Sequence, residues 1–317
     1  MKFLHTSAVI AKNLIEAPIV ISGYYQWHRA FGTKMTRYVD AKGTFGDYDI
    51  VYNCLTKADL WGRIPQKIRA ELGPDSQTKF VISVDHGVEL WQCNFELDWL
   101  RDAMMAADVV FGADPAIVSY LRALGVEHAF LMTHPVDVDS LRKIRKEPEQ
   151  RKERIACPVH RYDNNWVAPY LAVRDLPWPS SAVYLSGDMP DTLSAYWSDY
   201  RGPMSFYDFM HWLSQFHCMV DSYHNVHSMG RIGAEAACLG VPCIGTSHSY
   251  SQKILWPALT VDSGDVFGQK KLVRRLFEEP AFYQSCLQRA DENLERYTHR
   301  AKVKEFIENV DKHGVKR

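Results

Sequence analysis

Residues 224–246 concentrate the side chains and glycines that can do chemistry. His224, His227 and Ser228 lead into Met229, Gly230, Arg231, Gly233 and Glu235, and Gly240 and Pro242 follow. The order reads as loop, short helix, turn and buried strand. Ser228 suits a helix cap, because its hydroxyl accepts from an orphan backbone N–H. Gly230 and Gly233 let another group come close to the first turn. Gly240 stands where a helix ends in a left-handed residue, and Pro242 is tolerated at the first position of the next strand. Unpaired N–H groups and the macrodipole at such a helix start suit a diphosphate. That places Ser228, Met229 and Gly230 around the phosphates, with Glu235 behind them to meet a ribose hydroxyl pair. A plainer reading also fits. Arg231 and Glu235 are four apart and form an exposed ion pair of little worth, while the glycines serve helix–strand packing.

The string Glu235-Ala236, then Gly240, Pro242 and Ile244, resembles the carboxy-terminal nucleotide-sugar motif of retaining GT-B glycosyltransferases, the group 1, family 4-like enzymes. Their pattern is Glu-Ala-x-x-x-Gly-x-Pro-x-Ile. The resemblance implies that Glu235 holds the ribose and that the helix start receives the diphosphate. It also implies that Arg161, at a strand–loop junction, binds the diphosphate. The family's companion lysine falls at Trp166 and is absent, which leaves Arg161, helix N–H groups and Lys253 to carry the charge. An earlier family glutamate, which contacts the donor sugar, falls on His227. In the first half, Ala107-Asp108-Val109-Val110 through Gly125-Val126 is similar to the family's strand–helix unit before the hinge. Pro135-Val136-Asp137 is similar to the end of its first domain, without the usual glycine. The family's strand ending in His-Asp appears here in the order Asp85-His86. His86 is then expected beside the anomeric carbon, catalytic together with Glu235. A neutral histidine hydrogen-bonds a sugar hydroxyl and titrates near working pH. The alternative is that His86 caps its loop.

A length of 317 residues suffices for two domains, and 46% apolar with 24% charged residues is the make-up of a soluble globular protein. A formal charge of −1 provides no global basicity to recruit nucleic acid or an anionic membrane. Seven scattered cysteines without a Cys-x-x-Cys read as reduced thiols of a cytoplasmic protein. His217, His224 and His227 lie close in sequence, which leaves a metal open. Asp137-Val138-Asp139 matches the Asp-x-Asp with which GT-A enzymes hold a divalent cation. It falls where the first domain ends, and we read it as structural. No apolar run reaches the ~20 residues of a membrane helix, and residues 1–10 read as a first strand, not a leader. Walker, Ser-His-Asp and Gly-x-Gly-x-x-Gly patterns are absent.

The elements that must position these groups alternate. Strands are expected at 3–7, 48–55, 79–84, 108–111 and 128–132, with a strand or loop edge at 17–22. Helices are expected at 24–40, 64–72, 97–106 and 115–124. Tyr24, Tyr25 and Trp27 follow a strand's carboxyl end, where α/β proteins bind ligands. With Trp61 and Trp91 they suit stacking on an acceptor's sugar rings or bases, or else they cover a core. Residues 140–154 hold seven Lys/Arg against three Glu. They read as a solvated connector, or as a basic strip that steers an anionic acceptor. The second half repeats the grammar, with strands at 154–158, 182–186, 218–222, 243–246 and 259–261. Its helices are expected at 166–174, 205–215, 269–279, 281–297 and 300–312. In the last, Val303, Phe306, Ile307 and Val310 share a face.

The expected fold is α/β with the GT-B architecture, two Rossmann-like doubly wound domains facing a cleft. Residues 1–140 form the acceptor-side domain, 141–153 a charged linker, 154–297 the nucleotide-sugar domain, and 298–317 a helix crossing back. The expected activity is transfer of a sugar, with retention, from a nucleotide-diphosphate co-substrate such as a UDP-sugar. No metal or other obligatory cofactor is expected. The acceptor is a glycan, a small molecule or modified DNA. Three alternatives stand beside this: a viral-type DNA base glycosyltransferase, an inactive nucleotide-sugar-binding protein and a nucleotide-sugar epimerase.

Overall fold

The computed structural model describes residues 1–8, 23–33, 35–85, 94–159, 167–184, 197–202, 204–221 and 227–314. The strand or loop edge expected at 17–22 lies outside them.

Apolar runs form the central strands of two parallel sheets, which are buried on both faces as such sheets require. The first has the order β2-β1-β3-β4-β5-β6. Its strands are β1 (Phe3–Ser7), β2 (Met35–Arg37), β3 (Ile50–Cys54), β4 (Lys79–Val84), β5 (Val109–Gly112) and β6 (Ala129–Leu131). The second runs β12-β11-β10-β7-β8-β9. It comprises β7 (Lys152–Val159), β8 (Ser180–Tyr184), β9 (Asp199–Arg201), β10 (Phe216–Val220), β11 (Cys243–Thr246) and β12 (Thr260–Val261). Each neighbouring pair is parallel. The helices that bear on the cleft or close the fold are α1 (Gly23–Phe31), α2 (Pro115–Ala123), α3 (Val138–Arg142), α4 (Phe206–Leu213), α5 (Arg231–Leu239), α6 (Tyr250–Leu255), α7 (Pro280–Leu294) and α8 (His299–His313).

The helix expected over 24–40 is shorter. Gly32, at φ +63°, releases the chain after Phe31, and residues 35–37 pair with β1 instead. In the second sheet the strand order reverses between β7 and β10, and in the first between β1 and β3. Open α/β sheets bind ligands at the carboxyl ends of the strands flanking such a reversal.

The chain passes between the sheets twice, and the crossings meet. Val136 N–H donates to Tyr297 O at 2.7 Å, and Val136 bridges Thr298. Beyond Thr298, α8 packs on the first sheet. Phe306 is fully buried, 5.1 Å from the rings of Trp27 and Phe31 and 5.3 Å from Phe111. Val310 is buried beside it, while Val303 and Ile307 on the same face are half-buried.

The basic segment after α3 is not a solvated connector throughout. Arg145 makes a bidentate pair with Asp291 on α7, at 2.7 and 2.9 Å. Arg151 is buried and donates to the Leu239 carbonyl at 3.1 Å, to the Gly240 carbonyl and to Tyr283 Oη at 2.8 Å. A guanidinium at the end of α5 satisfies its last carbonyls and complements the dipole. Burial pulls the Arg151 pKa down, against the neighbouring Tyr283.

Candidate active site

The loop after β10 and the start of α5 stand at the second sheet's reversal. Gly230 is the residue before the helix, at φ +67° and ψ +56°, and no side chain caps the end. Ser228 does not play the expected capping role. Its hydroxyl accepts from Gly230 N–H at 3.0 Å, one step short of the helix. Gly233 N–H folds back to Gly230 O at 3.1 Å. The N–H groups of Arg231 and Ile232 meet no acceptor among the described residues. Open N–H groups at a helix start form an anion site.

The close approach that the glycines allow comes from the chain itself. Ser228 and Ser249 bridge, Ser251 N–H donates to Met229 O at 2.8 Å, and Ser251 Oγ donates to Gly230 O at 2.5 Å. Trp256 Nε1 donates to Gly233 O at 2.8 Å. A Cβ on Gly230 would fall 2.3 Å from Ser249 Oγ, and one on Gly233 would fall 3.0 Å from Ser251 Oγ. The first turn of α5 is therefore held rigidly against α6.

Glu235 pairs with Arg231, its carboxylate 2.8 Å from Arg231 Nε. The plainer sequence reading needs correction here. The pair forms, but Glu235 is 3% exposed, so it is not a solvated surface contact.

The first domain supplies the facing wall. Trp27 Nε1 lies 3.0 Å from His134 Nδ1, and His134 Nε2 lies 2.9 Å from Asp85 Oδ1. An indole N–H only donates, so Nδ1 accepts, and a neutral ring then carries its proton on Nε2 towards the carboxylate. Asp85 directly follows β4 and is thereby oriented at the strand's carboxyl end. His134 N–H donates across the cleft to Met229 Sδ at 3.2 Å. Behind this chain, His5 is fully buried, with its pKa lowered to about 3 by desolvation first and then by the charges of His28 and His134. Asp114 caps α2 by accepting from Ala116 N–H at 2.7 Å. The same buried carboxylate stands 3.5 Å from His227 Nδ1 and 3.9 Å from Lys253 Nζ, both of the second domain. Arg29 on α1 pairs with Asp137 at 2.6 Å and donates to Tyr207 Oη on α4 at 2.8 Å.

Several expected site residues are thus brought together: His227, Ser228, Met229, Gly230 and Glu235 surround the start of α5. His86 and Arg161 lie outside the described residues, as do Trp91 and His224. Tyr24 and Tyr25 fall in the first turn of α1, with side chains outside the description. Trp27 corrects the acceptor expectation. It is 1% exposed, packed on Phe31, Tyr52 and Phe306, and offers the cleft only its N–H bond to His134. Trp61 is exposed on the surface. His217 does not join His227, because they stand at opposite ends of β10. Its Nε2 faces Leu276 O at 2.9 Å, and its ring stacks on Phe277. Asp137 caps α3 and binds Arg29, which agrees with a structural role for Asp-x-Asp. Among the described residues no group of His, Cys, Asp and Glu is arranged to hold a metal ion. Asp85, Asp114 and His134 were not singled out from the sequence. The Asp-Pro before α2 signals a cap, but not what the cap faces.

No protein-family model matches the chain, and no curated protein sequence matches it significantly. Solved structures do match. Anabaena HepE in complex with UDP superposes with a TM-score of 0.73 at 12% identity, over 98% of this chain and 100% of that one. The fold is GT-B. An alpha-glucosyltransferase in complex with UDP-glucose and DNA containing an abasic site gives 0.67 at 12% identity, over 98% of both chains. The UDP-forming α,α-trehalose-phosphate synthase of Burkholderia xenovorans, in complex with glucose-6-phosphate, gives 0.63 at 11%. It covers 90% of this chain and 81% of that one. The GT-B expectation holds: two Rossmann-like domains of parallel sheet, each with its own reversal point.

Proposed function

We propose that the protein is a glycosyltransferase that takes a sugar from a nucleoside-diphosphate donor, a UDP-sugar, and transfers it with retention to an acceptor. The observation that carries this reading is the start of α5. Open N–H groups, a left-handed Gly230 and a buried Glu235 converge at the reversal point facing the other domain. In the step, the bond from the anomeric carbon to the diphosphate oxygen breaks, a bond to an acceptor oxygen forms, and the acceptor's proton is released. The N–H groups of Arg231 and Ile232, with Lys253 and Arg161, take the charge that grows on the leaving diphosphate. That arrangement dispenses with a metal. Glu235 holds the ribose hydroxyls, with Arg231 fixing its carboxylate. His227 meets the donor sugar. His86, next to the oriented Asp85, contributes at the anomeric carbon from the acceptor-side domain.

The acceptor is a glycan or another small molecule. Trp27 is buried in the core, and Arg145 and Arg151 are engaged within the chain, which weakens the aromatic and basic argument for DNA. Loss of acceptor turnover with a steep salt dependence on DNA would restore that reading. A cytoplasmic location accords with six described free thiols, all buried. No described helix is long and apolar enough to cross a membrane.

The test is a calorimetric titration of UDP together with a transfer assay from UDP-glucose. Glu235→Ala should weaken UDP binding by roughly 1.5–3 kcal/mol, the worth of a charged hydrogen bond. Unchanged affinity in a folded variant removes Glu235 from the ribose, and absence of UDP binding by the parent protein removes the donor.

A further inference from the structure

We propose that Asp114 is a built-in anion that competes with a nucleoside diphosphate for Lys253 beside the start of α5. The inference rests on the reading that the donor's diphosphate binds at the start of α5. It adds that a carboxylate from the opposite domain competes with the diphosphate for a lysine of that site.

Four features of the geometry carry it. Asp114 belongs to the first domain and is fixed there, since its Oδ1 accepts from Ala116 N–H at 2.7 Å as the cap of α2. Its side chain is 1% exposed, so it is not a solvated surface charge. Two groups that face it belong to the second domain: His227 Nδ1 at 3.5 Å and Lys253 Nζ at 3.9 Å. His227 lies on the segment running into α5, and Lys253 lies on α6, which Ser251 Oγ ties to Gly230 O and Ser251 N–H to Met229 O. Both groups therefore flank the open N–H groups of the helix start.

The distances indicate how the cluster behaves. Charge-assisted hydrogen bonds close to about 2.7–2.9 Å. At 3.5 and 3.9 Å both approaches are longer than that, and the Lys253 pair acts through charge more than through a directional bond. Lys253 has a long flexible stem and a side chain 38% exposed, so its ammonium can swing. A diphosphate brings more negative charge and more acceptor oxygens than one carboxylate. It draws Lys253 off Asp114 while the helix N–H groups take further oxygens. Because Asp114 and its partners sit on different domains, donor arrival exchanges a cross-cleft attraction for contacts within the second domain.

Asp114→Asn isolates the charge. Asparagine caps a helix about as well as aspartate, so α2 keeps its start. UDP, inorganic pyrophosphate and uridine are titrated against the parent protein, Asp114→Asn, Lys253→Met and the double variant. The expected result is that Asp114→Asn binds UDP and pyrophosphate about twofold to fivefold more tightly, as removal of one competing ion pair allows. Uridine affinity stays the same, and the gain vanishes when Lys253 is methionine. Equal or weaker UDP binding by a folded Asp114→Asn, while the parent binds UDP, overturns the proposal and leaves the donor reading intact. A gain that persists without Lys253 also overturns it. If the parent binds neither UDP nor pyrophosphate, the donor reading fails and the proposal with it.

Discussion

Gly230→Ala tests the geometry on which the site depends. Gly230 sits at φ +67°, in the left-handed region. A residue with a Cβ pays roughly 1–2 kcal/mol there. The new methyl also falls 2.3 Å from Ser249 Oγ, 2.4 Å from Ser249 Cβ and 3.1 Å from Ser249 Cα. The last contact is backbone, so no rotamer change of Ser249 relieves it fully. Overpacking of this kind costs typically 1–3 kcal/mol, which brings the expected loss to about 2–5 kcal/mol. Urea unfolding followed by tryptophan fluorescence reads it. Ser249→Gly removes the two shortest contacts, so the double variant should recover part of the loss and retain the backbone term. Gly46→Ala, where the added Cβ meets nothing within 4 Å and φ is not left-handed, is the control. UDP affinity should fall with Gly230→Ala even under conditions where the variant is folded, because the N–H groups move with the loop. A Gly230→Ala protein as stable as the parent would refute the rigid clamp between α5 and α6.

Arg151→Met should destabilise by about 2–6 kcal/mol in urea melts, since it strands the buried carbonyls of Leu239 and Gly240 at 1–3 kcal/mol each. A loss below 1 kcal/mol would mean water replaces the guanidinium. The second expectation concerns acid. His5 has a folded pKa of about 3, below its unfolded value near 6.5, so the unfolded chain binds the extra proton between them. His5 therefore contributes stability above pH 6.5 that drains as pH falls towards 3, up to about 5 kcal/mol. His5→Phe should flatten that limb of the stability profile, and an unchanged slope would point to other groups. Trp27→Phe keeps the ring packing but removes the only donor to His134 Nδ1 that the structure describes, and it should lower transfer rate more than UDP affinity. Equal losses in both would make the Trp27–His134–Asp85 chain merely structural. Finally, thiol reagents should find Cys157, Cys218 and Cys243 inert in the native state, since burial pushes each thiol well up and none is more than 1% exposed.

Local patterns made part of the fold legible. β1 and the helix Ile64–Leu72 fall where their apolar periodicity places them. Gly240 ends α5 at φ +67°, as a glycine before Val-Pro suggests. The edge strands β2 and β9 escaped notice because Met-Thr-Arg and Asp-Tyr-Arg are short and carry no apolar run; each is paired on one side only. The site divides in the same way. The loop and helix at 227–235 form one continuous stretch, and their roles could be argued from spacing. Asp85, Asp114 and His134 each close a different strand of the first sheet, and only the sheet order sets them beside one another. The two readings of Trp27 stayed open in the sequence for a physical reason. An indole is apolar over most of its surface and polar at one edge, so the same residue suits a ligand platform or a core ring with one directed N–H. His217 and His227 are neighbours only in sequence, because ten residues along a chain say nothing of distance when a strand separates them.

The central claim is that a nucleoside diphosphate is held by the start of α5. Hydrogen–deuterium exchange across residues 227–236, with and without saturating UDP, tests it most directly. The account predicts that UDP slows exchange of the Arg231 and Ile232 amides, which meet no acceptor among the described residues, and that Glu235→Ala weakens the effect in proportion to the lost affinity. UDP that binds while these amides exchange as fast as before would contradict it.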